Sequence, residues 1–325
     1  AMELWADRRA ASTPIQRIHV SDKGRFGFSH IDAEEQQVEA LGYVVINRVL
    51  GDVLQEALAA DEAVDVICPG RISALEVGDD SAVATVALAD GTDASLSCRL
   101  FVAADGANSS VRDMLGITAT QTHYEQRAII GNLLTERSMD NTAYERFTDT
   151  GPLALLPIAD ERAAFIWTVA EHDATRVLGL DDDEFLAELQ RTFGNRLGAF
   201  SRLGKRASYP LMLSKASRLT ATRSVLIGNS AHGLHPVAAQ GFNLGMRDVA
   251  ALCDCIADSC GSEAPDFGSQ ALLDRYADWR KADQGKLVRF TDGLVRLFTS
   301  RRPPLRLLRS AGMLGFDLVP GVRSE

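Results

Sequence analysis

Hydrophobic and polar residues alternate along much of the first part of this chain, which is the pattern of half-buried β-strands. Residues 15–28 predict two strands joined by a hairpin-like turn at 22–24, and residues 43–46 predict another strand. Apolar residues then recur at helical spacing over 50–58, which predicts a helix after that strand. Residues 3–13 have the pattern of the end of an earlier helix.

The middle of the chain is also predicted to be rich in strands. Residues 64–68 predict one strand, and residues 71–100 alternate in three runs separated by turns, as in a three-stranded antiparallel ribbon. A helical pattern over 182–193 begins with acidic residues that suit a helix N-terminus. Together with four more strand-length runs it predicts an inserted α+β domain over 126–215. Those runs are 128–134, 143–147, 151–158 and 162–169.

A strand, a turn and a helix are predicted in succession over 99–112. The apolar strand leads into Asp105-Gly106, the serines that follow can cap a helix, and Arg112 comes one turn later. Open α/β sheets bind their ligands at the carboxyl ends of strands, which is where this turn is expected.

A second strand–turn–helix unit is predicted over 224–252. A short apolar strand ends at a glycine, a proline then forces extended backbone, and a helical pattern follows. A helix start after a small-residue turn exposes N–H groups that suit a phosphate or an oxygen carrying negative charge. The same pattern also occurs in ordinary strand–loop–helix units. The residues of this turn and helix start include Gly228, Asn229, His235, Pro236, Gln240, Gly241 and Asn243.

The last part of the chain, 271–319, is predicted to be helical and amphipathic. Within it, residues 301–309 combine arginines with apolar residues. Two interpretations stay open for this segment: a packed pair of helices with solvated arginines, or a contact with a membrane surface or a protein partner.

Composition narrows the functional class. The chain has 325 residues, of which 46% are hydrophobic and 24% charged, as in a soluble globular protein of two domains or one large domain. Its net charge of −10 argues against nucleic acid as a partner. The five cysteines are scattered and odd in number, which predicts reduced thiols in the cytoplasm and no zinc site. No apolar run approaches the ~20 residues that span a bilayer.

Both strand–turn–helix units resemble the flavin motifs of the FAD-dependent aromatic hydroxylases, the group A flavoprotein monooxygenases. The first matches A-D-G-x-x-S-x-x-R from Ala104 to Arg112 at every fixed position. The second resembles G-D-A-A-H-x-x-x-P-x-x-G-Q-G-x-N, with Asn229 in place of the aspartate and Ala239 in place of the first glycine of G-Q-G. Within the family, the chain most resembles the ring hydroxylases of ubiquinone biosynthesis, of the 2-octaprenyl-6-methoxyphenol hydroxylase type.

This resemblance implies a reaction and its cofactors. FAD reduced by NADPH would use O2 to hydroxylate the phenol ring of a polyprenylated ubiquinone precursor. A phenol of that kind would make docking at the inner membrane surface useful. Ring hydroxylases acting at other positions and hydroxylases of small phenols stay open, as does a non-catalytic subunit of a quinone-biosynthesis assembly.

The resemblance also assigns roles to residues. It places next to the cofactor Arg48, Asp105, Gly106, Arg112, Gly228, Asn229, His235, Pro236, Gln240, Gly241 and Asn243. For Arg48, a solvated surface arginine stays the alternative. The resemblance places a sheet over the flavin, lined by Phe147, Leu155, Pro157, Trp167 and Tyr209, although at strand spacing these residues equally suit a plain core. The catalytic residue stays unassigned, because a base for the phenol could be His232, His235 or Tyr209.

The expected fold is α/β: a Rossmann-like FAD-binding fold lacking its first βαβ unit, with an inserted α+β substrate domain and C-terminal helices. The expected domains are 1–125 and 216–270 for FAD, 126–215 for substrate, and 271–325 for the helices. The family's G-x-G-x-x-G turn has no counterpart here, so the chain is expected to be N-terminally truncated and to bind FAD poorly. The sheet edge thereby exposed could be covered by a second copy of the chain.

Overall fold

The structure is a computed structural model that describes residues 11–24, 28–159, 161–233, 240–261 and 264–299. The chain divides into two compact units. The first unit is built mainly from residues 11–66 and 125–210, and the second from 67–124 and 211–294. Among the helices of these residues, none is both long and apolar enough to cross a membrane.

The secondary structure alternates between antiparallel strands and short strand–helix units. In chain order the elements are β1 (Ser12–Ile15), β2 (Arg17–Asp22), β3 (Phe28–Asp32), β4 (Gly42–Val45), α1 (Asn47–Ala60), β5 (Gly70–Val77), β6 (Ala82–Leu88), β7 (Asp93–Cys98), β8 (Phe101–Ala103), α2 (Ser110–Met114), β9 (Ala119–Thr135), β10 (Thr142–Thr148), β11 (Gly151–Pro157), β12 (Arg162–Ala170), α3 (Glu171–Gly179), α4 (Asp182–Phe193), β13 (Phe200–Ser201), β14 (Ala207–Ala216), β15 (Thr220–Ala221), β16 (Ser224–Leu226), β17 (His232–Gly233), α5 (Gln240–Ser259) and α6 (Gln270–Thr299).

The first unit is organised around strands that are neighbours in the order β9-β12-β11-β10-β2-β3 and belong to a sheet of nine strands among the described residues. The neighbours in this order are antiparallel except β10 with β2, which are parallel. One face of this sheet, here called the helix face, packs against α3 and α4. Its core includes Leu155, Trp167, Phe185 and Leu189, all buried. Successive residues of a strand point to opposite faces, so the register also defines the other face, here called the far face.

The second unit contains two smaller sheets. Strands β5, β6 and β7 form the predicted antiparallel ribbon, and β8 pairs in parallel with β16. Helices α5 and α6 pack against β16 through Leu252, Leu273 and Tyr276. A second cluster, around Ala103, Val111 and Leu226, holds β8, α2 and β16 together. The predicted α/β class is confirmed.

Several predicted elements are confirmed closely. The predicted helix 182–193 is α4, and the carboxylate of Asp181 accepts a hydrogen bond from the Glu184 N–H at its start. The first strand of the hairpin predicted over 15–28 is β2, and it pairs antiparallel with the next strand as predicted, but that strand is β3 and begins only at Phe28, where the predicted range ended. The ribbon over 71–100 has its three strands in the predicted order.

Other predictions need correction. Residues 64–68, predicted as a strand, form none, and all five side chains are exposed. An apolar run becomes a strand only when another strand pairs with it. Residues 12 and 13, predicted to end a helix, belong to β1, whereas 3–10 and the predicted helical region beyond 299 lie outside the described residues. Residues 11–66 group with 125–210 and not with the 67–124 stretch, because β2 pairs with β10.

Candidate functional site

Two turns of the second unit lie side by side because the strands that precede them are parallel neighbours. In the register of β8 and β16, Ala103 pairs with Leu226. The Ile227 N–H and the Ser230 hydroxyl both donate to the Ala103 carbonyl, at 3.1 and 2.7 Å. The turn at Asp105-Gly106 and the turn at Gly228-Asn229 therefore leave the same edge of this sheet.

The first turn is held by capping hydrogen bonds of α2. One carboxylate oxygen of Asp105 accepts from the Val111 N–H at 3.1 Å, and the Ser109 hydroxyl accepts from the Arg112 N–H at 2.9 Å. These bonds satisfy N–H groups that the start of a helix leaves without partners. Asp105 itself is exposed, so it keeps a free side toward a ligand.

Arg112 connects the two turns. Its guanidinium is buried and donates from one nitrogen to the carbonyl of Ala107 in the first turn and to that of Ser230 after the second. Its Nε has no hydrogen-bond partner and lies 3.8 Å from an Asp113 oxygen. The sequence placed Arg112 next to the cofactor, and the structure shows it bracing the two turns that would contact one.

Backbone conformation favours glycine in both turns. Gly106 has φ +89° and Gly228 has φ +58°, in the left-handed region that favours glycine. A Cβ atom built on either residue, or on Gly241 at the start of α5, would meet no protein atom within 4 Å. The space in front of these backbones is therefore open to a ligand that approaches closely.

Helix α5 begins close to the second turn. A Cβ on Gly245 would lie 3.4 Å from the Gly228 Cα, so the glycine lets the helix approach the turn. An α-helix of this length presents N–H groups and a partial positive charge at its first turn. The two open glycine turns, this helix start and the exposed amide of Asn229 together fit the phosphate, ribityl and ring oxygens of a flavin cofactor.

Asp248 of α5 is the centre of a buried polar network that sequence reasoning missed. It is fully buried, and one of its oxygens accepts from the Gly228 N–H at 2.9 Å and lies 2.6 Å from His232 Nε2. Its other oxygen accepts from Arg280 Nε at 2.6 Å and from the Gln284 amide at 3.2 Å. The network thus ties the second turn to helix α6.

The charge of Asp248 is kept by its neighbours. Burial by itself raises the pKa of this carboxyl, but the hydrogen bond and charge of His232, the Gly228 N–H and the Arg280 guanidinium together lower it below its ordinary value. The signal was present in the sequence: Asp248 lies four residues from both Leu244 and Leu252, on the buried stripe of the helix. An acidic residue on such a stripe needs a buried partner.

The remaining predicted residues are distributed as follows. Arg48 is near the start of α1, as predicted; its side chain is exposed and makes an i,i+4 ion pair with Asp52 at 3.5 Å. His232 is buried against Asp248, and its Nδ1 has no hydrogen-bond partner. Tyr209 is 55% exposed on β14. His235 and Pro236 lie outside the described residues.

The predicted pocket residues of the sheet fall on both of its faces. Leu155 and Trp167 belong to the core between the sheet and helices α3 and α4, which is the alternative that the sequence left open. Pro157 has the same parity as Leu155 along β11 and is buried on that face. Phe147 is buried on the far face. Its neighbour Arg146 pairs with Leu153, which belongs to the core under the helices, and the next residue of a strand points to the opposite face.

Comparisons with known proteins bear on this arrangement. A family described as an FAD binding domain matches residues 5–291. A ubiquinone hydroxylase from Rhodospirillum rubrum is 38% identical over 310 residues, covering 95% of this chain and 71% of the relative. The 3-demethoxyubiquinol 3-hydroxylase of Escherichia coli is 33% identical over 286 residues, covering 88% and 72%. The crystal structure of p-nitrophenol 4-monooxygenase from Pseudomonas putida superimposes with a TM-score of 0.79 at 17% identity, covering 99% of this chain and 83% of that one.

Proposed function

This chain belongs to the FAD-binding family of FAD-dependent aromatic-ring monooxygenases, and from that premise we propose that it hydroxylates the phenol ring of a polyprenylated ubiquinone precursor. The observation that carries the proposal is the pair of glycine turns at one edge of the β8–β16 sheet, which have open space in front of their backbones. NADPH is the proposed reductant and O2 the proposed source of the oxygen atom.

The proposed flavin site uses residues of the second unit. Asp105 and Gly106 would lie against the pyrophosphate, and Asn229 would bond the ribityl hydroxyls. The start of α5, at Gln240, Gly241 and Asn243, would face the oxygen-bearing edge of the flavin ring. Bound there, FAD supplies the electron transfer and the oxygen activation that amino-acid side chains cannot provide.

The protein's own groups hold and orient these contacts. Arg112 fixes the distance between the two turns, and Asp248 fixes the Gly228 backbone N–H. An asparagine at 229 can donate to and accept from a hydroxyl but carries no charge, so we expect weaker FAD binding than an aspartate would give. Arg48, His235 and Pro236 stay predicted contacts of the cofactor.

The relatives' names support the substrate class. One relative is named for hydroxylation of ubiquinone and another for the 3-hydroxylation of demethoxyubiquinol. Both names refer to the ubiquinone ring, in its quinone or its quinol form, which bears a long apolar chain. We extend this class to the present protein; a membrane-surface or partner contact through residues 301–309 stays a prediction from the sequence.

One set of measurements tests the proposal. Purified protein is titrated with FAD, and NADPH oxidation is then followed with and without a short-chain prenylated phenol, with mass spectrometry of the product. We expect phenol-dependent NADPH oxidation and a product that has gained one oxygen atom. FAD binding without any phenol-dependent turnover would support the non-catalytic alternative, and absence of FAD binding would overturn the proposed site.

A further inference from the structure

Glu145 stands in the middle of β10 as an ionisable group that the fold does not use. Its side chain is half-buried, and it makes no hydrogen bond or ion pair within the part of the chain that the structure describes. Burial raises the pKa of its carboxyl to about 7, with no neighbouring charge contributing to the shift.

The register places Glu145 on the far face of the first unit's sheet. Its cross-strand partners are Ala154 on β11 and Val20 on β2, and Ala154 in turn pairs with Ile166 and Ile166 with Ile130. The neighbouring Tyr144 points the other way and stacks edge-on against Phe193 of α4. The cross-strand neighbours of Glu145 on this face are therefore aliphatic, and Phe147 follows it on the same face of β10.

The other charged groups of this face do not pair with Glu145. On β2 the far-face residues are Ile18, Val20 and Asp22, and on β12 the charged far-face residue is Arg162. Arg162 donates instead to the Asn132 amide oxygen and to the Arg202 carbonyl. Over the paired stretches of these neighbouring strands, 29–31 of β3, 126–134 of β9 and 152–156 of β11, the described far-face residues are not titratable; they are Ser29, Ile31, Gln126, Ala128, Ile130, Asn132, Leu134, Pro152, Ala154 and Leu156.

An unpaired carboxylate on an apolar surface lowers the stability of a protein at neutral pH and is seldom retained for the fold alone. A ligand with one O–H donor and a flat apolar body would satisfy both the carboxylate and the aliphatic floor. A phenol has this chemistry. The ring would lie on side chains such as Ile130, Leu156 and Ile166, and its hydroxyl would reach the acceptor.

We propose that Glu145 is a substrate-binding residue whose carboxylate accepts a hydrogen bond from the hydroxyl group of the phenol. This inference rests on the proposed function, since it takes its substrate class from there. The bond draws the hydroxyl proton toward Glu145 without requiring that it leave the oxygen. It thereby raises the electron density of the ring, which favours bond formation with an electron-poor oxygen atom.

The test compares Glu145→Gln with Glu76→Gln, which changes an exposed glutamate on strand β5 and serves as the matched control. The equilibrium affinity of each protein for a short-chain prenylated phenol is measured between about pH 6 and pH 8. The methyl ether of the same phenol, which cannot donate a hydrogen bond, is the second ligand. Unfolding curves of each variant establish that it is folded.

We expect the wild-type protein and the control to bind the phenol more tightly as pH rises and Glu145 ionises. Glu145→Gln should bind it about tenfold more weakly at the upper pH, with a flat pH profile, because a charge-assisted hydrogen bond is lost. The methyl ether should bind all three proteins equally. Glu145→Asp, which keeps the carboxylate, should restore the pH dependence.

Two results overturn the inference. Equal phenol affinity and pH profile in Glu145→Gln and the control would show that the carboxylate does not meet the hydroxyl. So would an equal loss of affinity for the phenol and its methyl ether. The proposed function fails separately if the wild-type enzyme binds the phenol in this Glu145-dependent way but shows no phenol-dependent NADPH oxidation.

Discussion

Replacing Asp248 by alanine should destabilise the second unit strongly, because the carboxylate is the buried acceptor for four donors. The substitution removes the partner of the Gly228 N–H, of His232, of Arg280 Nε and of the Gln284 amide. The most costly consequence concerns Arg280. Its guanidinium is 2% exposed, and its Nη2 already has no hydrogen-bond partner.

The size of the effect follows from the charge that is left behind. Removing one partner of a buried ion pair costs about 3–5 kcal/mol, since the other charge stays out of water. Arg280 keeps its 2.7 Å ion pair with Asp283, so we expect the lower end, about 3 kcal/mol. For a unit of this size each kcal/mol lowers the melting temperature by roughly 2–4 °C, which gives a fall of about 6–12 °C.

The assay is calorimetric melting at neutral pH with a matched surface control. Asp258→Ala breaks the ion pair with Arg275, which joins the same two helices but is exposed on both sides. Such a pair contributes about 0–1 kcal/mol, so the control should melt within about 4 °C of the wild type. A double variant, Asp248→Leu with Arg280→Met, should melt above Asp248→Ala, because no buried charge then lacks its partner.

The reasoning would be refuted by a melting temperature of Asp248→Ala equal to that of Asp258→Ala. It would be refuted as well if the double variant did not melt at a higher temperature than Asp248→Ala. FAD titration adds a second readout: loss of the bond to the Gly228 N–H should weaken FAD binding in Asp248→Ala and leave it unchanged in Asp258→Ala.

Three further predictions concern the turns and the far face. Gly228→Ala and the control Gly116→Ala should each cost about 1 kcal/mol of stability, because both glycines have positive φ and open space around them. Only Gly228→Ala should lower the affinity for FAD, as measured by flavin fluorescence. Arg112→Leu should lower the melting temperature by roughly 6–12 °C, the equivalent of about 3 kcal/mol, because the carbonyls of Ala107 and Ser230 lose a charged donor. An unchanged melting temperature would contradict the role of Arg112 in connecting the two turns. Glu145→Gln should raise the free energy of unfolding by up to about 3 kcal/mol above about pH 8 and leave it unchanged below about pH 4. The reason is that folding raises the pKa of Glu145 from 4.5 to about 7, so the wild-type protein loses stability as pH rises through this range. Urea unfolding at a series of pH values measures the difference.

The sequence predicted best what is determined locally. The turn at Asp105-Gly106 and the helix that Ser109 caps were predicted because glycine conformation and capping depend on adjacent residues. Helix 182–193 was predicted to its boundaries for the same reason. The apolar run 64–68 was wrongly predicted as a strand, because strand formation depends on a partner elsewhere in the chain.

What the sequence missed depends on tertiary contacts. Residues 143–147 were predicted as a strand, but only the register with β2 and β11 shows that Glu145 faces away from the helices. Asp248 could be placed on a buried stripe by its spacing, whereas its partner Arg280 comes 32 residues later on another helix. Pairing between distant residues is not encoded in local periodicity.

Asp248 and Glu145 differ in how the burial of their carboxylates is compensated, and this difference suggests different roles for the two residues. Asp248 has a lowered pKa, so its stabilising contribution is present above the ordinary pKa of an aspartate and is lost only as pH falls through the lowered value. Glu145 has a raised pKa, so its ionised form costs stability that the fold never recovers at neutral pH. Asp248 therefore has a structural role, since it accepts the hydrogen bond that holds the Gly228 turn. Glu145 makes no hydrogen bond within the described residues, so its carboxylate can accept one from a ligand that carries an O–H donor.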